Sequence, residues 1–333
     1  MNIWNQASLR STQTLIESVL RSREPSSNQA PTSTDRLYDA FDPTPAPMTL
    51  EHHPIHQPKR APREVDPRDQ VMRSRFENRF EKSWQHKNFS RMNLEGFDFR
   101  HADLSGADFT GAFLEGATFA NATLDGANFT QANLANTIFT GATGKVVNFE
   151  QADLSRARFD SCDLRFCRFQ KAVMPGARLN DGCFNQTDFT GANLRKARIQ
   201  NSSFVNAYFS QADLSYAQLD YSVLDGAMTD RTVFQHARLD STRFRHAICY
   251  KANFKESRMV QANFSGSDLG RADFSQANMT AANLSNTAIA MANFSDARMI
   301  GTIINHEWMM MFSLTNDSKL EYFWKSVATL GLK

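Results

Sequence analysis

Three sets of residues recur with enough regularity to suggest chemistry. Asp or Asn returns at five-residue steps (Asp98, Asp103, Asp108, Asn128, Asn133, Asp153), a density of short acids that invites a search for acid–base catalysis. The regularity argues for structure instead, because a turn needs a short polar residue that can bond its own backbone. Arginine returns at 20-residue steps as Arg158, Arg178, Arg198, Arg238, Arg258 and Arg298, interrupted only by Gln218 and Asn278. Stacked like charges repel, so this series needs either interleaved acids such as Asp160 and Asp240 or an anionic partner, acidic protein or phosphoinositide headgroups. Tyr208, Met228 and Ile248 form a third 20-residue series, apolar where the neighbouring registers are polar. No phosphate-binding loop, zinc-protease helix, paired C-x-x-C or nucleophile elbow occurs. The expectation is a protein that is not an enzyme and uses no cofactor or metal.

The element that must position these residues is a five-residue repeat running from Phe89 to Ile304 without a slip. Call the large apolar residue of each repeat i. Position i holds Phe, Leu, Met or Ile throughout, except at Gly144, Thr229 and Cys249. Position i−2 holds a small residue or Val, except at Lys87, Met92 and Phe97. Neither helical nor alternating periodicity reproduces this register. A small residue beside a large one fills a narrow prism without voids, which points i−2 and i inward and the other three positions outward. Gly recurs at i+2 (Gly106, Gly111, Gly116, Gly126), where a corner calls for positive φ.

Repeats such as Ala102-Asp103-Leu104-Ser105-Gly106 and Ala107-Asp108-Phe109-Thr110-Gly111 resemble the pentapeptide-repeat superfamily. The resemblance implies an all-β solenoid, a right-handed quadrilateral β-helix with four pentapeptides per coil. The 44 pentapeptides would then make about 11 coils, and at about 4.8 Å per coil the rod is roughly 50 Å long. A convex prism of this kind lacks the concave pocket that catalysis uses.

Composition divides the rest of the chain. Residues 1–70 read as a disordered arm, rich in Pro, Ser, Thr, Gln and His beyond residue 23 and too poor in large hydrophobes to offset ordering entropy. Their first 23 residues form at most one short amphipathic helix, with a secretion or docking signal as the sharper reading. His52, His53 and His56 within the arm are too loosely held to expect a metal site. Residues 71–87 (Val71, Met72, Phe76, Phe80, Trp84) read as a capping helix over the first coil. Residues 306–333, with Trp308-Met309-Met310-Met311-Phe312 and the stripe Leu320, Phe323, Trp324 and Val327, read as a C-terminal cap or as a homodimerisation segment. The solenoid itself spans 88–305.

The net charge of +2 marks neither a nucleic-acid binder nor an acidic mimic, although acids dominate from Met92 to Leu154 and arginines from Arg156 onward. Of the four cysteines, Cys162, Cys167 and Cys249 take inward positions as small hydrophobes, which suits a reducing cytosol. No run is long enough to span a membrane, and the first residues lack the apolar core of a Sec signal.

The i residues stack at 20-residue spacing into four columns. Phe runs from Phe89 to Phe209 in one and appears only from Phe234 in the next, so a kink or altered turn type is expected near residues 224–234. Gly144 is a second, smaller flaw. The candidate partner-binding set is Tyr208, Met228, Ile248, Tyr250, Val223 and Arg243, because contiguous exposed apolar patches mark interfaces. The candidate anionic-surface set is Arg158, Arg178, Arg198, Arg238 and Arg258. The layout is similar to that of type III secreted pentapeptide-repeat effectors, which implies export by a non-Sec route into a host cell and a host protein or membrane-associated partner there. A topoisomerase-protecting DNA mimic and a structural scaffold within the bacterial cytoplasm are the alternatives. The arginine-rich later coils and the 87-residue leader depart from the former.

Overall fold

The computed structural model describes residues 83–305. The arm over 1–70, residues 71–82 of the expected capping helix and the segment 306–333 lie outside the described residues.

Within them, one rule of pairing governs the chain. Every bridge, from Ser83↔Asp103 to Asn283↔Ile303, is parallel and joins residues 20 positions apart. The bridging residue is always i−1. Four pentapeptides therefore close one coil, and each coil stacks in register on the next, as a four-sided β-helix requires. We name the four sides after their first i residues, Phe89, Leu94, Phe99 and Leu104.

The backbone satisfies its own polar groups almost completely. On the Phe89 side the N–H of Phe109 donates to Asn128 O (2.7 Å), that of Asn128 to Ala107 O (2.9 Å) and that of Gly111 to Thr130 O (2.9 Å). The corner closes when Ala112 N–H donates to Phe109 O (2.9 Å). One N–H per repeat, at i+1, is left over. The Asp or Asn at i−1 accepts it, as Asp108 does from Thr110 N–H (3.0 Å) and Asn128 from Thr130 N–H (3.1 Å). The recurrent acids are thus turn caps, and their period follows from a backbone debt that also recurs every five residues.

Position i+2 adopts positive φ at every corner from His86 to Gly301. With negative φ at i+1, this is the pattern of a type II turn. Glycine occupies only a minority of these corners, and Val146 is the one β-branched residue among them, at φ 59°. Left-handed backbone is least tolerable for such a side chain.

The core is the expected one. Positions i and i−2 are buried from Phe99 and Ala102 through Leu284. Phe109 stacks on Phe129 (centroids 4.7 Å apart) and meets Phe119 edge-on (5.8 Å), a pattern repeated up the Phe89 and Phe99 sides. Phe184 and Phe204 bring stacking to the Leu104 side, and from Phe234 it is carried by the Leu94 and Leu104 sides. The coil between Phe209 and Phe234 carries Leu214, Leu219, Leu224 and Thr229 inside.

Two expectations need correction. No altered turn appears at 224–234: Ala227 N–H still donates to Leu224 O (3.1 Å), Thr232 N–H to Thr229 O (3.2 Å), and φ at Gly226 and Arg231 is 67° and 55°. Volume is exchanged between sides within one cross-section, so Thr229 and Cys249 leave room that Phe234 and Phe254 take up, and the backbone need not adjust. Second, residues 83–87 are not helical. Ser83 pairs with Asp103, Trp84 N–H donates to Asp103 O (2.7 Å), and Trp84 takes position i with its ring 6.0 Å from Phe89. The aromatic residues that read as a helical stripe include one that belongs to the repeat's own register.

Gly144 is a local flaw of another kind. A Cβ there would lie 2.7 Å from Val147 Cγ2, so the larger residue at i−2 fills the space that the missing side chain leaves.

Candidate partner-binding surface

The arginine column is real. Parallel bridges join Arg158 to Arg178, Arg178 to Arg198 and Arg238 to Arg258 on the Phe99 side. Arginine at i−1 cannot accept the i+1 N–H, so this side needs another cap. The acids and amides at i+1 of the coil below supply it: Asp160 Oδ1 accepts from Asn180 N–H (3.3 Å), Asn180 Oδ1 from Gln200 N–H (3.0 Å), Asp220 Oδ1 from Asp240 N–H (3.1 Å) and Asp240 Oδ1 from Val260 N–H (3.0 Å). The same carboxylates pair with the guanidiniums. Asp160 meets Arg178 (3.2 Å) and Arg158 (3.7 Å), Asp220 meets Arg238 (3.1 Å) and Asp240 meets Arg258 (2.6 Å). The column is an interleaved acid–base lattice. Among the described residues only Arg198, of the five candidates, lacks an acidic partner, because its neighbours at i+1 are Asn180 and Gln200.

The apolar series also stacks as its spacing predicts. Tyr208 bridges Met228, which bridges Ile248, on the Phe89 side. Asp188 and Asp268 continue the column beyond each end. Tyr208 is 43% exposed, while Met228, Ile248, Tyr250, Val223 and Arg243 are half-buried. Tyr250, at the corner beyond Ile248, lies under Lys251 (Nζ to ring centroid 5.4 Å) and Arg271 (6.0 Å). Val223 and Arg243 bridge each other on the adjoining Leu104 side.

Arg243 is tied down. It pairs with Asp225, which also takes Arg245 (2.7 Å) and caps Arg245 N–H (3.1 Å). Burial pushes the Asp225 carboxyl up, but the bonds from Arg245 and Arg243 outweigh it and leave the group below its ordinary value.

Other exposed aromatics lie elsewhere round the rod. Tyr216, on the corner after the Leu94 side, stacks on His236 (4.7 Å), which meets Glu256 (3.3 Å). Tyr221, 64% exposed, lies on the corner after the Phe99 side. Two features escaped the sequence reading. Val146 and Phe166, 57% and 44% exposed, stack 20 residues apart at the corner after the Leu104 side. Arg231, Lys251 and Arg271 stack at the corner beside the Tyr208 column, each three residues beyond Met228, Ile248 or Asp268. The 20-residue rule would have found both, had i+2 been scanned as i−1 was.

The inward cysteines are chemically quiet. Cys162 donates to Phe139 O (2.9 Å), and burial pushes the thiols of Cys162, Cys167 and Cys249 up to about 12. Cys183 is half-buried at i−1. Among the described residues no helix is long and apolar enough to cross a membrane.

Comparison with known proteins bears on the whole of this architecture. A model of the pentapeptide repeat region matches residues 112–183, and a model of pentapeptide repeats in eight copies matches 88–121, 192–228, 257–296 and 277–306. No curated protein matches the chain. Among solved structures, HetL, a pentapeptide repeat protein involved in heterocyst differentiation regulation from the cyanobacterium Nostoc sp. strain PCC 7120, is 23% identical over 70% of this chain and 95% of its own, with a TM-score of 0.40. Full-length QnrB1, a plasmid-mediated fluoroquinolone resistance protein, is 15% identical over 69% of this chain and 95% of its own, with a TM-score of 0.35. A pentapeptide repeat protein from the Arabidopsis thaliana thylakoid lumen is 27% identical over 36% of this chain and 68% of its own, with a TM-score of 0.17. By its register, its buried i and i−2 columns and these matched segments, the chain belongs to the pentapeptide-repeat family and folds as a right-handed quadrilateral β-helix.

Proposed function

We propose that the protein is a non-enzymatic binding rod of about 11 coils, capped at its ends, that engages a partner protein through the Tyr208–Met228–Ile248 column. The observation that carries the reading is the composition of that column. Elsewhere i−1 is mostly a short polar residue that caps a turn or an arginine inside a lattice, and three consecutive coils here give up that role for apolar side chains. A rod gains nothing in stability from Tyr208 left 43% exposed, whereas a protein interface does.

In this reading the arginine column is structural, since its acids cap its turns and pair with four of its five candidate arginines. Residues 1–70 are a delivery segment, and the protein acts as a secreted bacterial effector exported by a non-Sec route. Their composition supports this, and export of a reporter fused to residues 1–30 tests it.

The surface itself is tested with the full chain. Tyr208→Ala with Ile248→Ala should melt at the wild-type temperature and lose one protein that immobilised wild type retains. Identical retention by both, or collapse of the double variant, overturns the assignment.

A further inference from the structure

The charge around the apolar column is one-sided. Along one rim Arg231, Lys251 and Arg271 stack at successive corners, and among the described residues neither Arg231 nor Arg271 has an acidic partner. Along the other rim Arg243 and Arg245 share the single carboxylate of Asp225. Asp230, which accepts from Ser210, and the two ends of the column, Asp188, which caps Thr190 N–H (2.8 Å), and Asp268, which caps Gly270 N–H (2.9 Å), are other acids beside it. Five cations thus face four acids around an apolar stripe, and two of the cations, Arg231 and Arg271, stand without a carboxylate among the described residues. What sets this zone apart is pairing: on the Phe99 side four of the five candidate arginines meet a carboxylate, whereas Arg231 and Arg271 meet none among the described residues.

The spacing adds a shape. Successive coils lie about 4.8 Å apart. A helix laid along the rod returns a residue to the same face at about 5.4 Å per turn, whereas alternate residues of an extended strand return at about 6.6 Å. Tyr208, Met228 and Ile248 therefore match successive turns of a helix better than the alternate residues of a strand. Resting on the protein-binding reading above, the geometry points to an amphipathic helix of a partner protein as the occupant, its apolar stripe on Tyr208, Met228 and Ile248 and its flanks acidic. Acidic flanks meet Arg231 and Arg271 on one side and the Arg243–Asp225–Arg245 cluster on the other, which sets both the choice of partner and a salt-dependent rate of association.

The probe is a fluorescent 18-residue helical peptide with Leu at helical spacing and Glu elsewhere, titrated into the full chain by anisotropy. A copy with Lys in place of Glu and vesicles of phosphatidylcholine with phosphatidylserine are run beside it. The Glu peptide should bind, weaken as salt rises, and lose about tenfold in affinity with Arg231→Glu plus Arg271→Glu. Tyr208→Ala with Ile248→Ala should weaken it as well, and the Lys peptide should not bind. Equal binding of the two peptides, indifference to the arginine reversals, or capture of the vesicles in preference to the Glu peptide overturns the proposal. So does a dimer of the full chain, seen by sedimentation, that the Tyr208 and Ile248 substitutions dissociate, since the occupant is then a second copy. If the Glu peptide fails while the double alanine variant still loses its retained protein, the helix is wrong and the binding surface stands. If both fail, the surface falls too.

Discussion

Asp240 is held twice by the coil above it: its Oδ2 accepts from Arg258 Nε at 2.6 Å, and its Oδ1 accepts from the N–H of Val260 at 3.0 Å. The second bond is the one the fold needs, because with Arg258 at i−1 nothing else on that side caps the leftover N–H of Val260. Asp240→Ala should therefore cost about 2 kcal/mol, the worth of hydrogen bonds to a charged group, read from the urea midpoint. Arg258→Ala should cost a small fraction of that, since its guanidinium is exposed. Equal losses would assign the stability to the ion pair and not to the cap.

Val146 occupies a left-handed corner with a β-branched side chain, at φ 59°. Asn tolerates that backbone far better. Val146→Asn should stabilise by about 1 kcal/mol and raise the melting temperature by about 2–4 °C. An unchanged or lower melting temperature would show that the exposed valine is held by packing against Phe166.

Phe149 is fully buried, with Phe129 and Phe169 at 5.0 and 4.6 Å above and below it. An unpaired carboxylate placed there costs several kcal/mol. Phe149→Asp should abolish the cooperative thermal transition, and a variant that still melts cooperatively would contradict the inward assignment of i.

The Asp225 carboxyl is held below its ordinary value of 3.8 by Arg245 and Arg243, against the opposing effect of burial. A carboxylate whose folded pKa is depressed contributes stability that is present above the unfolded value and is lost as pH falls through the folded one. Asp225→Asn should thus melt below wild type at neutral pH, and the two should converge once the pH is well under 3.8. A gap that persists in acid would mean that something other than the charge of the carboxylate carries the effect.

Three of the four thiols are buried and raised to about 12. A disulfide reagent at pH 8 should label Cys183 alone in the native protein and all four cysteines after denaturation. Rapid native labelling of Cys162, Cys167 or Cys249 would show that the coils open locally.

The core was legible because it depends on a period of five. Phe109 and Ala107 point inward for a reason contained in one pentapeptide, and the same holds for Asp108 capping Thr110. The 20-residue columns follow once four pentapeptides close a coil, so the stacking of Tyr208, Met228 and Ile248 was legible too. The start of the rod was not: Trp84 sits at i, but Lys82 at i−2 breaks the pattern, and only the pairing of Ser83 with Asp103 enrols it. The expected irregularity at 224–234 failed for a related reason. Columns read one at a time show Phe lost at Thr229, while the cross-section conserves volume through Phe234.

What the sequence determined by itself was the repeat and its inward and outward faces, which rest on steric and hydrogen-bonding needs that recur within five residues. What only the tertiary structure decided was which charges meet. Arg238 finds Asp220 and Arg258 finds Asp240 across 18 residues, so four of the five arginines of that column are paired from within, while Arg231 and Arg271 stand beside an apolar stripe with no acid among the described residues. The physical reason is that pairing across coils depends on where i−1 of one coil lies over i+1 of the coil below, a relation that exists only after the chain has wound.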